Sequence, residues 1–306
     1  MLRQLVNQSV VGEGKTMAKY NANLENIKQQ LNIFRLAKNY SYNEIMQTDI
    51  GTKAQRKKLY GFSYLLSGSN PKVLKSLGYG CVNIICHLSP ANSSGFQVCH
   101  MATCGCTKAC LDTSGHGGIG DYSISPVHKA RIARTRLLHT HPKIFLKILI
   151  QDIELWQNKA DKLGMQLAIR LNGTSDVIWE TRVPELFNWY KDIQWYDYTK
   201  YKSTQRKTIP GNYHLTYSRS EKTTTEDIKR ELAHGRNVAV VFATSALLQE
   251  VIKTGYKGIE VIDATLHDLR YTDKVGVICG LYYKVASKIG AVVNEKTGFV
   301  VQANAI

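Results

Sequence analysis

The sequence predicts an α/β fold, a complete or partial β/α barrel of the TIM type, preceded by a helical N-terminal extension. From residue 81 onward, short apolar strand-like runs alternate with helical patterns of about ten to fifteen residues, which calls for parallel strands joined by helical crossovers. Seven such runs are present, enough for a full or partial barrel or for a doubly wound sheet. At 306 residues the chain is long enough to bury a core of that size.

Taken in order, residues 1–20 read as peripheral, and NANLENIKQQLNIFRLAKNY (21–40) carries apolar residues at helical spacing. The basic run TKAQRKK (52–58) follows, then the turn signal GSNP (68–71) and a short helix, KVLKSLG, closed by glycine. Residues 1–80 therefore form a basic, partly helical extension. CVNIICHL (81–88) is the first strand of the main body. The helix at 125–141 has Ser125 as cap and Pro126 at its first position, and Pro142 separates it from a second helix at 143–164. Strands are expected at 166–172, 193–199, 213–218, 237–243, 259–264 and 276–283, with helices near 182–191, 225–235 and 245–255. The barrel spans 81–290, with a cysteine loop at 99–120, and 291–306 is a tail.

Hydrophobic residues make up 43 % of the chain and charged ones 21 %, a globular composition. The longest apolar stretch, VAVVFA at 238–243, is far short of a membrane span. The N-terminal MLRQLVNQSVVGEGK lacks the apolar core of a secretory signal, so a cytoplasmic location is expected. GEGKT at 12–16 superficially resembles a phosphate loop, but Ser9 occupies the place of the first glycine and no strand precedes it. Forty Lys and Arg against twenty-four Asp and Glu give a net charge of +16, and residues 51–111 and 122–151 contain no acid. Such a field attracts a nucleotide or nucleic acid. Arg131 and Arg134, three apart on a helix, share a face that either grips phosphates or is simply solvated. Trp179, Trp189 and Trp195 either stack bases or fill the core.

In either α/β architecture, polar residues just past the strand ends converge on one face. Here these are Asn172 to Asp176, Tyr198 to Lys200, Ser218 to Ser220, Thr244-Ser245 and Asp263, some of which serve as caps and turns. The loop after the first strand joins them with CHMATCGCTKAC, which packs Cys99, Cys104, Cys106 and Cys110 into twelve positions. In a reducing compartment such crowding points to metal rather than to disulfides. Two metal chemistries fit, beside the reading that the thiols hold no metal. Zinc takes four ligands, with His87, His100 and His116 as further donors, although Cys104-Gly105-Cys106 is a tight pair and no distant cysteine pair completes a ribbon. An iron–sulfur cluster on three thiolates leaves one iron open, and SGHGGIG (114–120) supplies small residues around a cavity. Cys81, Cys86 and Cys279 lie in apolar strands and read as core thiols.

CHMATCGCTKACL, SGHGG, ARIART, IRLNGTSD, YDYTK, NYHLTYS and VIDATLHDLR, in that order, resemble a phage family labelled gene product eighty-eight, over residues 80–285. The family's C-x6-C-x3-C pattern maps onto Cys99, Cys106 and Cys110 and leaves Cys104 as an extra. The architecture also resembles radical S-adenosylmethionine enzymes, which place a three-cysteine loop after the first strand of a β/α barrel. The usual C-x3-C-x2-C motif is absent: counted from Cys106 it requires a cysteine where Thr113 stands.

The resemblance implies a cluster-bearing barrel, and the expectation built on it is a radical S-adenosylmethionine-type enzyme acting on a nucleotide or nucleic acid. Such an enzyme would carry a [4Fe-4S] cluster on Cys99, Cys106 and Cys110, with S-adenosylmethionine at the fourth iron and an electron donor as a partner. Asn172, Ser175 and Asp176 are then candidates for the cofactor's amine and ribose, and Asp197, Lys200, Ser218 and Asp263 for cofactor or substrate. The alternative from another class is a non-catalytic nucleic-acid-binding protein stabilised by zinc.

Overall fold

The computed structural model describes residues 40–69, 71–110, 125–283 and 297–306. The expected helix at 21–40, the GEGKT stretch and the glycine-rich 114–120 segment with His116 lie outside the described residues. The protein is a mixed α/β structure built on one eight-stranded sheet, in the order β1-β2-β3-β4-β5-β6-β8-β7. The strands are β1 (Leu66–Ser67), β2 (Cys81–Cys86), β3 (Gln166–Arg170), β4 (Gln194–Thr199), β5 (Tyr213–Ser218), β6 (Val238–Phe242), β7 (Val261–Asp263) and β8 (Ile278–Tyr282). The two-residue β1 runs antiparallel to β2, and every other pairing is parallel. All seven strands expected from the sequence are present. Strand β1 had no signal, because two residues are too few to show a period.

The helices are α1 (Tyr42–Met46), α2 (Lys53–Tyr60), α3 (Pro71–Leu74), α4 (Cys104–Lys108), α5 (Pro126–Thr140), α6 (Pro142–Lys162), α7 (Trp179–Arg182), α8 (Pro184–Trp189), α9 (Thr225–Ala233) and α10 (Ser245–Thr254). Pro142 cannot donate a helical hydrogen bond, so α5 stops at His141 and α6 restarts there. Helix α6 ends at Leu163, and Gly164 supplies the left-handed residue beyond it. Its buried Phe145, Leu146, Ile148, Leu149 and Ile153 join Val82, Ile84, Leu167 and Ile169 of β2 and β3 in the largest apolar cluster. Trp179 and Trp195 are fully buried in that cluster, so neither is available to stack on a base. Trp189 packs beside it, edge-on to Tyr42.

The barrel expectation needs correction. Strands β1 and β7 are the two edges of the sheet, and no pairing between them closes it among the described residues. The reason lies on the sheet face opposite α6. Asn83, Arg170, Tyr196 and Tyr198 project there, and the connection from β7 to β8 lies over them. In that connection Asp268 accepts from Tyr196 Oη (3.2 Å) and Arg170 Nη1 (3.1 Å), and Leu269 packs on Ala168 and Tyr196. Tyr196 also donates to Asn83 Oδ1 (2.9 Å), and Arg170 lies over the Tyr198 ring. A loop thus covers the face that a closed barrel would fill with its own inward side chains.

Residues 40–80, expected as an extension, contribute Ile45, Phe62, Leu65 and Leu66 to the main core, and the expected tail contributes buried Phe299, Val300 and Val301. One buried charge fastens the first of these segments. Asp152 of α6 accepts the backbone N–H groups of Leu65 (2.6 Å) and Leu66 (3.0 Å) through Oδ2. Burial pushes its pKa up to about 6, against the lowering effect of the two N–H groups and of Arg56 and Arg134. A carboxyl raised in the folded state stabilises fully below its unfolded pKa, near 3.9, and that contribution is lost as pH rises through about 6. Urea unfolding at intervals between pH 4 and 7 should therefore show wild type losing stability relative to Asp152→Asn as pH rises through about 6. The difference cancels the opposite contributions of His87, His139 and His214, whose pKa values burial lowers in both proteins. Asp152→Ala leaves two buried N–H groups without an acceptor and should cost about 2–4 kcal/mol. An unchanged slope in the Asn variant would assign the pH dependence elsewhere.

Candidate functional site

The loops that follow β2, β3, β4 and β5 meet at the C-terminal ends of these strands. The first carries the cysteines. Thr103 caps α4, its hydroxyl accepting from Cys106 N (3.2 Å), and this short helix was not foreseen. At about 100° per residue, Cys104 and Cys106 point to opposite sides of it. Cys104 is exposed, whereas Cys99, Cys106 and Cys110 are half-buried, and the seven cysteines form no disulfide. Cys99 Sγ lies 3.8 Å from the Thr174 carbonyl. Burial pushes its thiol up to about 12, and Asp176, Cys110 and Cys106 each act in the same direction. Burial also raises Cys106, opposed by Lys200 and reinforced by Asp176 and Glu221. The three thiols singled out by the family pattern thus share one electrostatic environment, and Cys104 is turned away from it.

The second loop holds Asn172 to Asp176. Asn172 Oδ1 accepts from Ser175 Oγ (2.8 Å), Val177 N (2.9 Å) and Trp179 Nε1 (3.2 Å), and its Nδ2 donates to Val177 O (2.9 Å) and Asp197 Oδ2 (3.1 Å). Asn172 and Ser175 are therefore engaged in shaping the loop. Gly173 must be glycine, since a Cβ there would lie 2.5 Å from His87 Nδ1 and 2.7 Å from the Cys86 carbonyl. The loop is tied to the cysteine segment by Asp176 N donating to Val98 O (2.9 Å). Asp176 Oδ2 accepts from Lys200 N (2.8 Å), while its buried Oδ1 has no hydrogen-bond partner and faces Arg206 Nη1 at 3.8 Å. Burial raises its pKa despite these positive neighbours.

From the third and fourth loops, Lys200 Nζ donates to Ser218 Oγ (3.0 Å) and lies over the Phe299 ring. Asp197 is wholly buried and accepts from Asn172 N (2.8 Å) and Tyr213 Oη (2.7 Å), with Arg170 Nε at 3.9 Å. It supports the loop from beneath. Asp263 does not join the group: it sits on the edge strand β7, where Thr265 and Gln249 engage it. Thr244 is the cap of α10. Arg131 is buried, which removes it from any solvated basic face, and Arg134 donates through Nε and Nη2 to Tyr64 O while lying over Phe62.

Two residues escaped the sequence reading. Glu221, one position past Ser220, accepts from Gly105 N (2.9 Å) and Thr103 Oγ1 (2.7 Å) and so pins the start of α4 to the end of β5. Burial works to raise its carboxyl, but these hydrogen bonds and Lys200 prevail and hold it below the usual carboxylate range. Its place after a polar strand end was the available clue. Phe299 gave no clue; it packs with Ala109 and Cys106, and Arg219 Nη1 holds its carbonyl (2.9 Å). Among the described residues, no three His, Cys, Asp or Glu side chains stand close enough to share one metal ion.

Fold and site together define an α/β protein whose chemistry-bearing side chains stand on the loops after parallel strands, where such sheets place their ligands. It belongs to the gene product 88 family, whose sequence pattern matches residues 54–301. That span begins inside the expected extension and ends inside the expected tail, at the segments the fold draws into the core. No curated protein and no solved structure matches the chain. Among the described residues, no helix is long and apolar enough to cross a membrane.

Glu221→Ala should free the start of α4. The expected outcome is about 1–3 kcal/mol of destabilisation and about tenfold faster iodoacetamide labelling of Cys106 in metal-free protein, read by peptide mass spectrometry. Labelling at the wild-type rate would show that Glu221 does not hold the helix.

Proposed function

We propose that the protein is an iron–sulfur enzyme of the radical S-adenosylmethionine type that acts on a nucleotide or nucleic acid. The observation that carries this reading is the gathering of Cys99, Cys106 and Cys110, without Cys104, at the C-terminal ends of the parallel strands. Three half-buried thiols, with Cys104 exposed and turned away, fit a cluster held by three thiolates with one iron left open.

Cys99, Cys106 and Cys110 would hold the irons, losing the protons that burial now keeps on Cys99 and Cys106. A [4Fe-4S] cluster with an open iron supplies one-electron reduction of a sulfonium when S-adenosylmethionine is bound, and the protein orients the reactants and excludes water. Lys200, beside Cys106, offsets the negative charge of thiolates. Asp176 Oδ1 makes no hydrogen bond, only an ion-pair contact with Arg206 Nη1 (3.8 Å), and would accept from an amine or hydroxyl. Asn172, Ser175 and Asp197 keep that loop in place, and the net charge of +16 suits a phosphate-bearing substrate.

Anaerobically purified protein should contain about four irons and four sulfides per chain and form 5′-deoxyadenosine with dithionite and S-adenosylmethionine. Cys99→Ser, Cys106→Ser and Cys110→Ser should each abolish loading, and Cys104→Ser should not. One zinc per chain without colour would overturn the reading, as would a fully loaded cluster that yields no 5′-deoxyadenosine.

A further inference from the structure

A cavity built without the cysteine loop lies at the start of β5. Strand β6 pairs with β5 only through Tyr217↔Val238 and Ser218↔Ala239, so the first four residues of β5 have no β6 partner beside them. No helix connects β4 to β5 either, and the 200–212 loop runs past this gap instead. The space left between that loop, the start of β5 and the turn before β6 is a cleft of about 430 Å³, within the range of small-molecule sites.

Its lining is one-sided in charge. Arg206, Lys207, His214, His234 and Arg236 contribute to it, Ile209 adds an apolar patch, and none of the lining residues carries a carboxylate. Arg236 is buried. Its Nη2 donates to Arg206 O (2.6 Å), but Nη1 has no hydrogen-bond partner, and Glu231 stands 3.8 Å from it. Both Glu231 oxygens already accept from Ser203. His214 Nε2 is likewise buried without a partner. Burial and the nearby Arg270 lower its pKa to about 4, so the ring is neutral at pH 7 and free to present an N–H. Lys207 and His234 are exposed at the rim. Arg206 donates to both Glu180 oxygens through Nε and Nη2 (2.7 and 2.6 Å), so its guanidinium is not counted as a ligand group. A buried guanidinium nitrogen and a buried imidazole nitrogen outside any hydrogen bond, rimmed by a lysine, are the complement of an oxyanion with several acceptor oxygens.

We infer that this cleft binds the phosphate group of a small phosphomonoester, with Arg236, His214 and Lys207 on the phosphate and Ile209 against the organic part. The cleft is larger than a phosphate alone requires, which is why an organic moiety is included. The inference does not rest on the cysteine chemistry.

Calorimetric titration of the full chain at constant ionic strength with inorganic phosphate, adenosine 5′-monophosphate and adenosine tests it. Phosphate and the monophosphate should bind, the monophosphate more tightly, and adenosine should not. Arg236→Gln should weaken both by about tenfold or more, and the surface change Lys207→Ser by about threefold to tenfold. If Arg236→Gln fails to fold, Lys207→Ser decides alone. Absence of binding by either phosphate ligand, equal binding of adenosine, or affinities unchanged in the folded variants would overturn the assignment.

Discussion

A carboxylate with no access to water, Asp197, holds together the part of the molecule on which the candidate site stands. It projects from β4, reaches the backbone and side chain of Asn172 just past β3, and accepts the Tyr213 hydroxyl from β5. Burial pushes its pKa up to about 7, although Arg170, Tyr213 and Asn172 all favour the charged form. A buried acid of this kind is costly unless its partners are in place. Three neighbouring strands therefore share one hydrogen-bond requirement, and the loops above them inherit fixed positions.

Those loops carry the side chains with chemistry, and each is fastened to another by a polar contact. Asp176 N meets Val98 O, Asp176 Oδ2 meets Lys200 N, Lys200 Nζ meets Ser218, and Glu221 meets Thr103 and Gly105. The cysteine helix, only five residues long, has little stability of its own. Its placement comes from Thr103, Glu221 and Phe299, the last two distant in sequence. Gly105 is required at that junction, since a Cβ would lie 2.7 Å from both Glu221 Oε2 and Phe299 Cβ. A loop held this way presents its thiols as a group instead of as separate flexible side chains.

The opposite face of the sheet explains why seven parallel strands do not close into a barrel. Arg170 and Tyr196 are too large and too polar for an apolar barrel interior, and each needs a partner. The β7–β8 connection supplies one in Asp268, and fully buried Arg270 packs there with Asp273 as its ion-pair partner (3.1 Å). Burial opposes the charge on Arg170, but Asp268 first, then the tyrosines and Asp197, hold its pKa above the ordinary arginine value. This polar layer is made by residues nearly a hundred positions apart, and periodicity in any one strand is silent about it.

The sequence by itself determined the elements: period-2 and period-3.6 patterns, Pro126, Pro142 and Gly164 mark where strands and helices begin and stop, because these signals are local. It also placed Cys99, Cys106, Cys110, Asp176 and Lys200 near one another, since residues past parallel strand ends must share a face. Only the tertiary structure decided that the sheet stays open, that Asn172 and Asp197 support the site from below, and that Asp263 and Arg134 stand apart from it. It likewise brought in Glu221 and Phe299 to hold the cysteine helix. These outcomes depend on which buried polar atoms find partners across long sequence separations, and a donor's need for an acceptor becomes visible only once the chain has excluded water around it.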